Sequence, residues 1–469
     1  MVGALSGATL LLWVGGSAIL PLLPRYLRHE GSSPALVGVV MAAYFAASVA
    51  TQYPVGRLSD RIGRRPVVLG GLVLFSLGSL GFALVSGAGP AIVSRALQGI
   101  GAGAVTVAAA ATIGTEVTVA ERGPAFGALY GSQMLALAVG PLVGSVVGQR
   151  SMSVLFVAAA IAALLAAAPI LAVIPAGRGT LLHAAGTGAA TSVTLATPGT
   201  PVTPAEGPVP THSDELEVLA ACAPGGVGHH PPGERPQEDG HRPARAPLRR
   251  NPAFVGVLAV FAATGLLGGV YESCWTLLMT LRHASSFEIG LSWTLFALPF
   301  AVLSVPAGRL ATRADPRVLV LGSLACSGAF CTLYPFLHDV PLMVAFGAFE
   351  AVGAVVGSPA ALLVLVRSVS PTVQGGAQGS VETARTAATA LAAAASGALF
   401  GLDPVAPFAL GTTLVAVAGG GVAWVWRSLP RVAPAAGPGP PGEPHPAGAV
   451  PLAGPPGEPG PIAAGSVSR

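Results

Sequence analysis

Gly56-Arg57-Leu58-Ser59-Asp60-Arg61-Ile62-Gly63-Arg64-Arg65 sets four arginines and one aspartate between two long apolar runs. Clustered arginine holds a short loop on the cytoplasmic side of a bilayer. That requirement alone explains neither an aspartate in register nor glycine at 56 and 63. Glycine permits tight turns and close approach of two chains. Asp60 is placed to accept backbone N–H bonds at a helix N-terminus, where the helix dipole favours a carboxylate.

The flanking runs, 35–55 and 66–86, belong to a set that fills most of the chain. Further runs lie at 4–24, 90–113, 124–148, 152–174, 253–280, 287–307, 317–337, 341–366, 374–400 and 405–427. Each is long enough to cross a bilayer as a helix. The apolar residues run on continuously rather than alternating, which argues against a β-barrel. The first run has no basic leader and is read as a membrane helix, not a cleaved signal. Composition agrees: 52% of the 469 residues are hydrophobic and 9% charged, against about 25% charged in soluble domains. Mean hydropathy is +0.70. The net charge of +4 is spread over many loops and gives no nucleic-acid surface.

Two segments stand apart. Residues 176–252 and 430–469 are rich in Pro, Gly and Ala and carry mixed charge. They are expected to be a disordered linker and a disordered tail. The remainder, about 350 residues, holds twelve units of roughly 29 residues, each a spanning helix with a short loop. The division expected is 1–175, a first six-helix bundle; 176–252, linker; 253–429, a second bundle; and 430–469, tail.

Arginine sets the orientation. Arg57, Arg61, Arg64, Arg65, Arg122, Arg178, Arg249, Arg250, Arg309, Arg313, Arg317, Arg367, Arg427 and Arg431 fall on one side, and Arg25, Arg28, Arg150 and Arg282 on the other. Both termini and the linker are therefore expected in the cytoplasm.

The two bundles repeat at a fixed offset of 252 residues. Pro54-Val55-Gly56-Arg57-Leu58 returns as Pro306-Ala307-Gly308-Arg309-Leu310, and Arg61 as Arg313. Gly123, Ala125 and Gly127 return as Gly375, Ala377 and Gly379. One offset shared by separate loops implies a duplication and a pseudo-symmetric pair of bundles, an arrangement used by transporters.

On these residues the sequence resembles the major facilitator superfamily, whose loop signature G-x-L-x-D-R-x-G-R-R/K is matched at every fixed position from Gly56 to Arg65. The second copy is degenerate, with Thr312 where Asp60 stands. The resemblance implies an all-α membrane fold of twelve helices in two six-helix bundles, and alternating access by rocking of the halves. The loop would latch the cytoplasmic side of the outward-facing state. Gly56, Asp60, Arg61, Gly63, Arg64 and Arg65 would then be gating residues rather than substrate ligands.

Two more stretches extend the resemblance. In the fourth span, Arg95, Gln98, Gly99 and Gly101 match R-x-x-Q-G-x-G, whose arginine is associated in relatives with proton coupling. A charge inside a span is costly and faces a cavity or a partner unless it snorkels to the interface. Arg95 and Gln98 share one helical face. In the fifth span, Gly127, Gly140, Pro141 and Gly144 follow the antiporter pattern G-x8-G-x3-G-P-x2-G-G, with Ala136 and Ser145 replacing two glycines. That pattern is associated with export; a packing seam of small residues is its plainer meaning.

A proton-coupled carrier also needs a carboxylate that changes protonation in the working pH range. The first span has none. Glu350, in the tenth, is the repeat mate of Gln98 and is expected to face the Arg95–Gln98 stripe. Glu272, in the seventh, has Trp275 and Met279 at i+3 and i+7, apolar and thioether surface suited to an amphiphilic or cationic substrate. Glu382 and Arg385 stand one turn apart and are expected to pair as a structural or gating contact. Cys222, Cys274, Cys326 and Cys331 form no C-x-x-C pair, and no metal-ligand set or nucleophile–base motif lies in the spans.

The expected function is proton-coupled efflux of a drug-like molecule or small metabolite by an integral protein of the plasma membrane. The proton gradient supplies the energy, without a cofactor. The expected partners are a small-molecule substrate, protons and the lipid bilayer; nucleic acid is excluded and a monomer is expected. An uptake symporter or facilitator of the same fold stands second. A non-transporting receptor or scaffold is the reading from another class, and an enzyme is not expected.

Overall fold

A computed structural model describes residues 1–84, 87–118, 121–173, 250–370 and 373–427. The interior of the expected linker and the whole of the expected tail lie outside the described residues. Among those described, the regular elements are helical. The first half contains α1 (Val2–Ile19), α2 (Leu23–His29), α3 (Pro34–Ile62), α4 (Arg64–Leu84), α5 (Ala88–Glu116), α6 (Arg122–Arg150), α7 (Met152–Leu165) and α8 (Ala167–Val173). The second contains α9 (Pro252–Leu281), α10 (Ser286–Arg313), α11 (Pro316–Leu333), α12 (Val340–Ala354), α13 (Gly357–Ser368), α14 (Gln374–Leu402) and α15 (Ala406–Trp426).

The sequence offset is the structural offset. α5 spans 88–116, and α12 with α13 spans 340–368; α6 spans 122–150, and α14 spans 374–402. Both pairs are displaced by 252 at each end. Eleven helical spans among the described residues are long and apolar enough to cross a membrane. The twelfth, α14, has the length, 29 residues, but carries Gln374, Gln378, Glu382 and Arg385 along an Ala- and Gly-rich stretch. These polar groups interrupt its apolar surface, with Gln378 and Arg385 exposed and Gln374 and Glu382 half-buried.

Three expected spans are broken, each at a proline. Proline has no N–H to give the carbonyl four residues earlier. Pro169 and Pro359 would bond Leu165 and Val355, where α7 and α12 end. Pro21 and Pro24 part α1 from α2 in the same way. Conversely, α3 runs on past its expected end to Ile62, so most of the arginine loop is helical. Gly63 closes that helix at φ 95°, a conformation open to glycine, and its N–H reaches the Ser59 carbonyl at 3.1 Å.

The halves meet through paired helices, α3 with α14 and α6 with α10. At the end opposite the arginine loop this contact is backbone against backbone. A Cβ on Gly38 would lie 2.9 Å from Gly397 Cα, and one on Gly290 would lie 2.6 Å from the Pro141 carbonyl oxygen. Side chains that join the halves lie at the same end. Arg25 donates to the Ala284 carbonyl at 3.2 Å and to Ser286 Oγ at 3.3 Å, and Thr276 donates to the Pro21 carbonyl at 2.8 Å. At the loop end, a Cβ added to Gly127, Gly131, Gly308, Gly376 or Gly379 would meet nothing within 4 Å. The bundle is shut at one end and parted at the other.

Candidate functional site

Between these ends, α9, α10, α12 and the turn that follows α11 line a small cavity of about 40 Å³, bordered by Tyr271, Trp275, Trp293, Phe296, Tyr334 and Glu350, with Ser292 and Gly347. Glu350 is 2% exposed. Its two oxygens accept from phenols, Tyr271 at 2.9 Å and Tyr334 at 2.7 Å. Tyr334 reaches it because α11 ends one residue earlier, in a short 3-10 turn over Tyr334–Phe336 that aims the ring inward. Trp275 stands edge-on to Tyr334 with ring centroids 4.7 Å apart. Its indole N–H donates to Ser292 Oγ at 2.9 Å, which fixes the ring plane. Tyr271 meets both Trp275 and Phe296 edge-on. Trp293 Nε1 is shielded from solvent and has no partner. The box thus offers one buried carboxylate, several aromatic surfaces and one idle N–H donor. Such a combination suits a small cation with apolar bulk and a hydrogen-bond acceptor.

Arg95 is likewise 2% exposed and does not reach the helix end. One terminal nitrogen donates to Gln98 Oε1 at 3.0 Å, and Gln98 passes the bond on to Ser79 Oγ at 3.0 Å. The guanidinium lies 4.8 Å from the Tyr44 ring centroid, with Met41 Sδ 3.9 Å from its other terminal nitrogen. The expected Arg95–Gln98 stripe is therefore a real contact. The expected meeting of Glu350 with that stripe is not found, because Glu350 is held by two tyrosines of its own half. Arg95 forms no ion pair with a carboxylate among the described residues. Trp275, expected on the face of Glu272, lines the Glu350 cavity instead.

The arginine loop serves its own half in this conformation. Arg64 reaches Thr115 Oγ1 and forms an ion pair with Glu116 at 3.5 Å, while Arg65 donates to the Leu171 carbonyl at 3.2 Å. Asp60 does not cap a helix N-terminus. It lies in the last turn of α3, exposed, with no hydrogen bond or ion pair among the described residues. Arg61 is also exposed, and a Cβ added to Gly56 would meet only the Val107 side chain, at 3.8 Å.

The glycines of α6 divide between two neighbours. A Cβ on Gly140 would lie 3.0 Å from the Val14 carbonyl oxygen, and one on Gly144 would lie 2.7 Å from Ala18 Cα, so both let α1 close on α6. Pro141 and Ser145 face Gly290 of the opposite half. Gly127 has no such neighbour. Glu382 and Arg385 do pair on α14, each side chain 47% exposed, through Nε and one terminal nitrogen of the arginine.

Sequence reasoning missed Tyr271, Trp293, Phe296 and Tyr334. An available signal was the helical stripe Tyr271–Trp275 at i, i+4 beside Glu272; Tyr334 had none, since its direction comes from a turn beyond a helix end.

A sequence model of the Major Facilitator Superfamily matches residues 5–281 and 253–458. The chain is 35% identical over 142 residues to the inner membrane transport protein YajR of Escherichia coli (strain K12), covering 30% of this chain and 31% of that one. It is 37% identical over 145 residues to a chloramphenicol resistance protein of Pseudomonas aeruginosa, covering 30% and 34%. It is 36% identical over 146 residues to the tetracycline resistance protein, class B, of Escherichia coli, covering 30% and 36%. The match thus spans 31 to 36% of the length of these relatives. Among solved structures, a POT family transporter in complex with a thioalcohol conjugated peptide superposes with a TM-score of 0.67 at 13% identity, over 91% of this chain and 96% of that one. That likeness is one of fold.

Proposed function

The chain belongs to the Major Facilitator Superfamily, and from that premise we propose that it is a transporter, not an enzyme, that exports small organic cations in exchange for protons. The observation that carries the reading is the buried Glu350 carboxylate inside an aromatic box. Its charge attracts a cation, and Trp275, Tyr271 and Phe296 supply surface for apolar bulk. A proton and a cation satisfy the same carboxylate, so the site holds one or the other. That exclusion is what exchange requires. The resistance proteins among the relatives and the glycine pattern of α6 favour export over uptake.

The arginine distribution supports placing the Gly56–Arg65 end in the cytoplasm of a plasma-membrane protein. The conformation is then open toward the cytoplasm, ready to load substrate. Arg64 and Arg65 rest on their own half, and Asp60 is free to engage when that side closes.

The test is transport of ethidium by the purified protein in proteoliposomes, with proton flux followed in parallel. Export predicts ethidium movement uphill against an imposed proton gradient of opposite direction. Glu350→Gln, which keeps volume and hydrogen bonding but takes no proton, is expected to lose uphill movement and keep downhill exchange. Ethidium and protons moving in the same direction would replace export by uptake. Absence of flux for ethidium and a panel of other amphiphilic cations would overturn the proposal.

A further inference from the structure

The loop that joins α9 to α10, Arg282 to Ser285, is fixed by its own backbone bonds. The His283 N–H reaches the Thr280 carbonyl at 3.0 Å, and the Ala284 N–H reaches the Met279 carbonyl at 3.0 Å. His283 takes the left-handed conformation, at φ 60°. This pair of bonds closes a helix C-terminus as a Schellman motif. Ser285 then opens α10 with a capping box to Glu288. A loop bonded at both ends in this way has little freedom to bend, and a displacement on one side of it is felt on the other.

Two arginines engage this loop from opposite sides. Arg25, on α2 of the first half, donates to the Ala284 carbonyl at 3.2 Å and to Ser286 Oγ at 3.3 Å. Arg282 reaches the other way and donates to the Pro335 carbonyl at 2.7 Å. Pro335 is buried at the middle of the 3-10 turn Tyr334–Phe336. The residue before it, Tyr334, is 1% exposed and bonds Glu350 at 2.7 Å. A continuous series of contacts thus runs from the first half through the loop and the turn to the carboxylate of the box. Neither topology nor packing accounts for Arg282. Orientation gives arginine no advantage at the end opposite the arginine loop. Its Nε is shut off from solvent without a partner, a cost that an apolar side chain would not carry.

We propose that Arg282 is a positioning residue that sets Tyr334 on Glu350, and that the α9–α10 loop is a strut carrying the state of the shut end to the box. While that end is shut, Arg25 supports the loop, Arg282 pins the turn, and the carboxylate and aromatic wall are in place for a cation. When the end opens, Arg25 withdraws with its own half. The loop loses that support, Arg282 slackens on Pro335, and Tyr334 is free to leave Glu350. The box then holds a cation less tightly on the side toward which it has opened. The inference rests on reading the Glu350 box as the cation site.

The experiment reads the turn and the box separately, on the full chain in nanodiscs. A spin label is placed at Phe336, in the turn and 61% exposed, on a background with the four native cysteines replaced. Without substrate, Arg282→Met is expected to raise the mobile fraction of the label about threefold, the scale of one lost hydrogen bond. Arg25→Met should act in the same direction and add nothing to Arg282→Met, as for residues in series. Arg282→Lys keeps a donor for the Pro335 carbonyl and should restore the immobile spectrum. Packing alone would let methionine serve as well as lysine. The box is read by the dissociation constant for ethidium. Arg282→Met should raise it about two- to tenfold, and adding Arg282→Met to Tyr334→Phe should weaken binding no further. If no form binds ethidium, the cation reading falls while the label spectra still decide whether Arg282 pins the turn. A label unmoved by Arg282→Met, or effects of Arg282 and Tyr334 on binding that simply add, would rule the strut out.

Discussion

Tyr334 donates to Glu350 at 2.7 Å while its ring stands edge-on to Trp275 at 4.7 Å. One residue thus orients the carboxylate and forms part of the aromatic wall. Tyr334→Phe separates the two roles, keeping the ring and deleting the hydroxyl. A net hydrogen bond is worth roughly 0.5–1.5 kcal/mol, so the KM for a cationic substrate is expected to rise about two- to tenfold. Trp275→Ala removes the wall and is expected to cost about as much again through lost cation–π and apolar contact. Both are read as ethidium transport at matched protein abundance.

Trp293 makes a different prediction, because its buried N–H has no partner. An unsatisfied buried donor carries a desolvation cost, so Trp293→Phe is expected to leave thermal stability unchanged or slightly higher. If substrate supplies the missing acceptor, binding weakens in the same variant. A melting curve and a binding isotherm on one preparation check both halves; lower stability with unchanged binding would make Trp293 a packing residue.

The fold was legible because its signals are long and redundant. Twelve apolar runs, arginine on one side and an offset repeated in separate loops all point to one arrangement, and α5 and α6 reappear at that offset in the second half. The site was legible only in part. Glu350 announces itself as an acid in an apolar run, but its partners come from 16 and 79 residues away, and no local pattern encodes them. Symmetry pointed Glu350 toward Arg95. The structure gives Glu350 to two tyrosines and Arg95 to Gln98, because duplicated backbones fix the positions of side chains and not their rotamers. Asp60 was misplaced for a related reason: α3 continues through the arginine loop, so the residue expected to cap the next helix lies in the last turn of the previous one.

That position yields a prediction for Asp60. It makes no bond among the described residues in this conformation, so Asp60→Asn should change stability by no more than about 0.5 kcal/mol, as for other surface substitutions. Transport is nevertheless expected to fall severalfold, because the carboxylate is proposed to act when the loop end closes. Abundance, melting temperature and ethidium flux are measured together. Wild-type flux would remove Asp60 from the gate.

Gly38 and Gly127 extend the same logic to both ends of the molecule. A Cβ on Gly38 would lie 2.6 Å from the Ala393 carbonyl oxygen and 2.9 Å from Gly397 Cα, across the boundary between halves. Backbone cannot yield as a flexible side chain can, so Gly38→Ala wedges the shut end. A Cβ on Gly127 meets nothing within 4 Å. There alanine improves helix propensity by roughly 0.5–1 kcal/mol at no steric cost. Gly38→Ala is therefore expected to lower the stability of the present conformation and to lengthen the distance between spin labels placed at Glu30 and Phe287, exposed residues of opposite halves near that end. Gly127→Ala is expected to raise stability while slowing transport, since the loop end must later close over that position. Opposite shifts in melting temperature, with transport reduced in both, are the outcome that alternating closure requires. Equal shifts would mean that the two glycines serve ordinary packing within a rigid bundle.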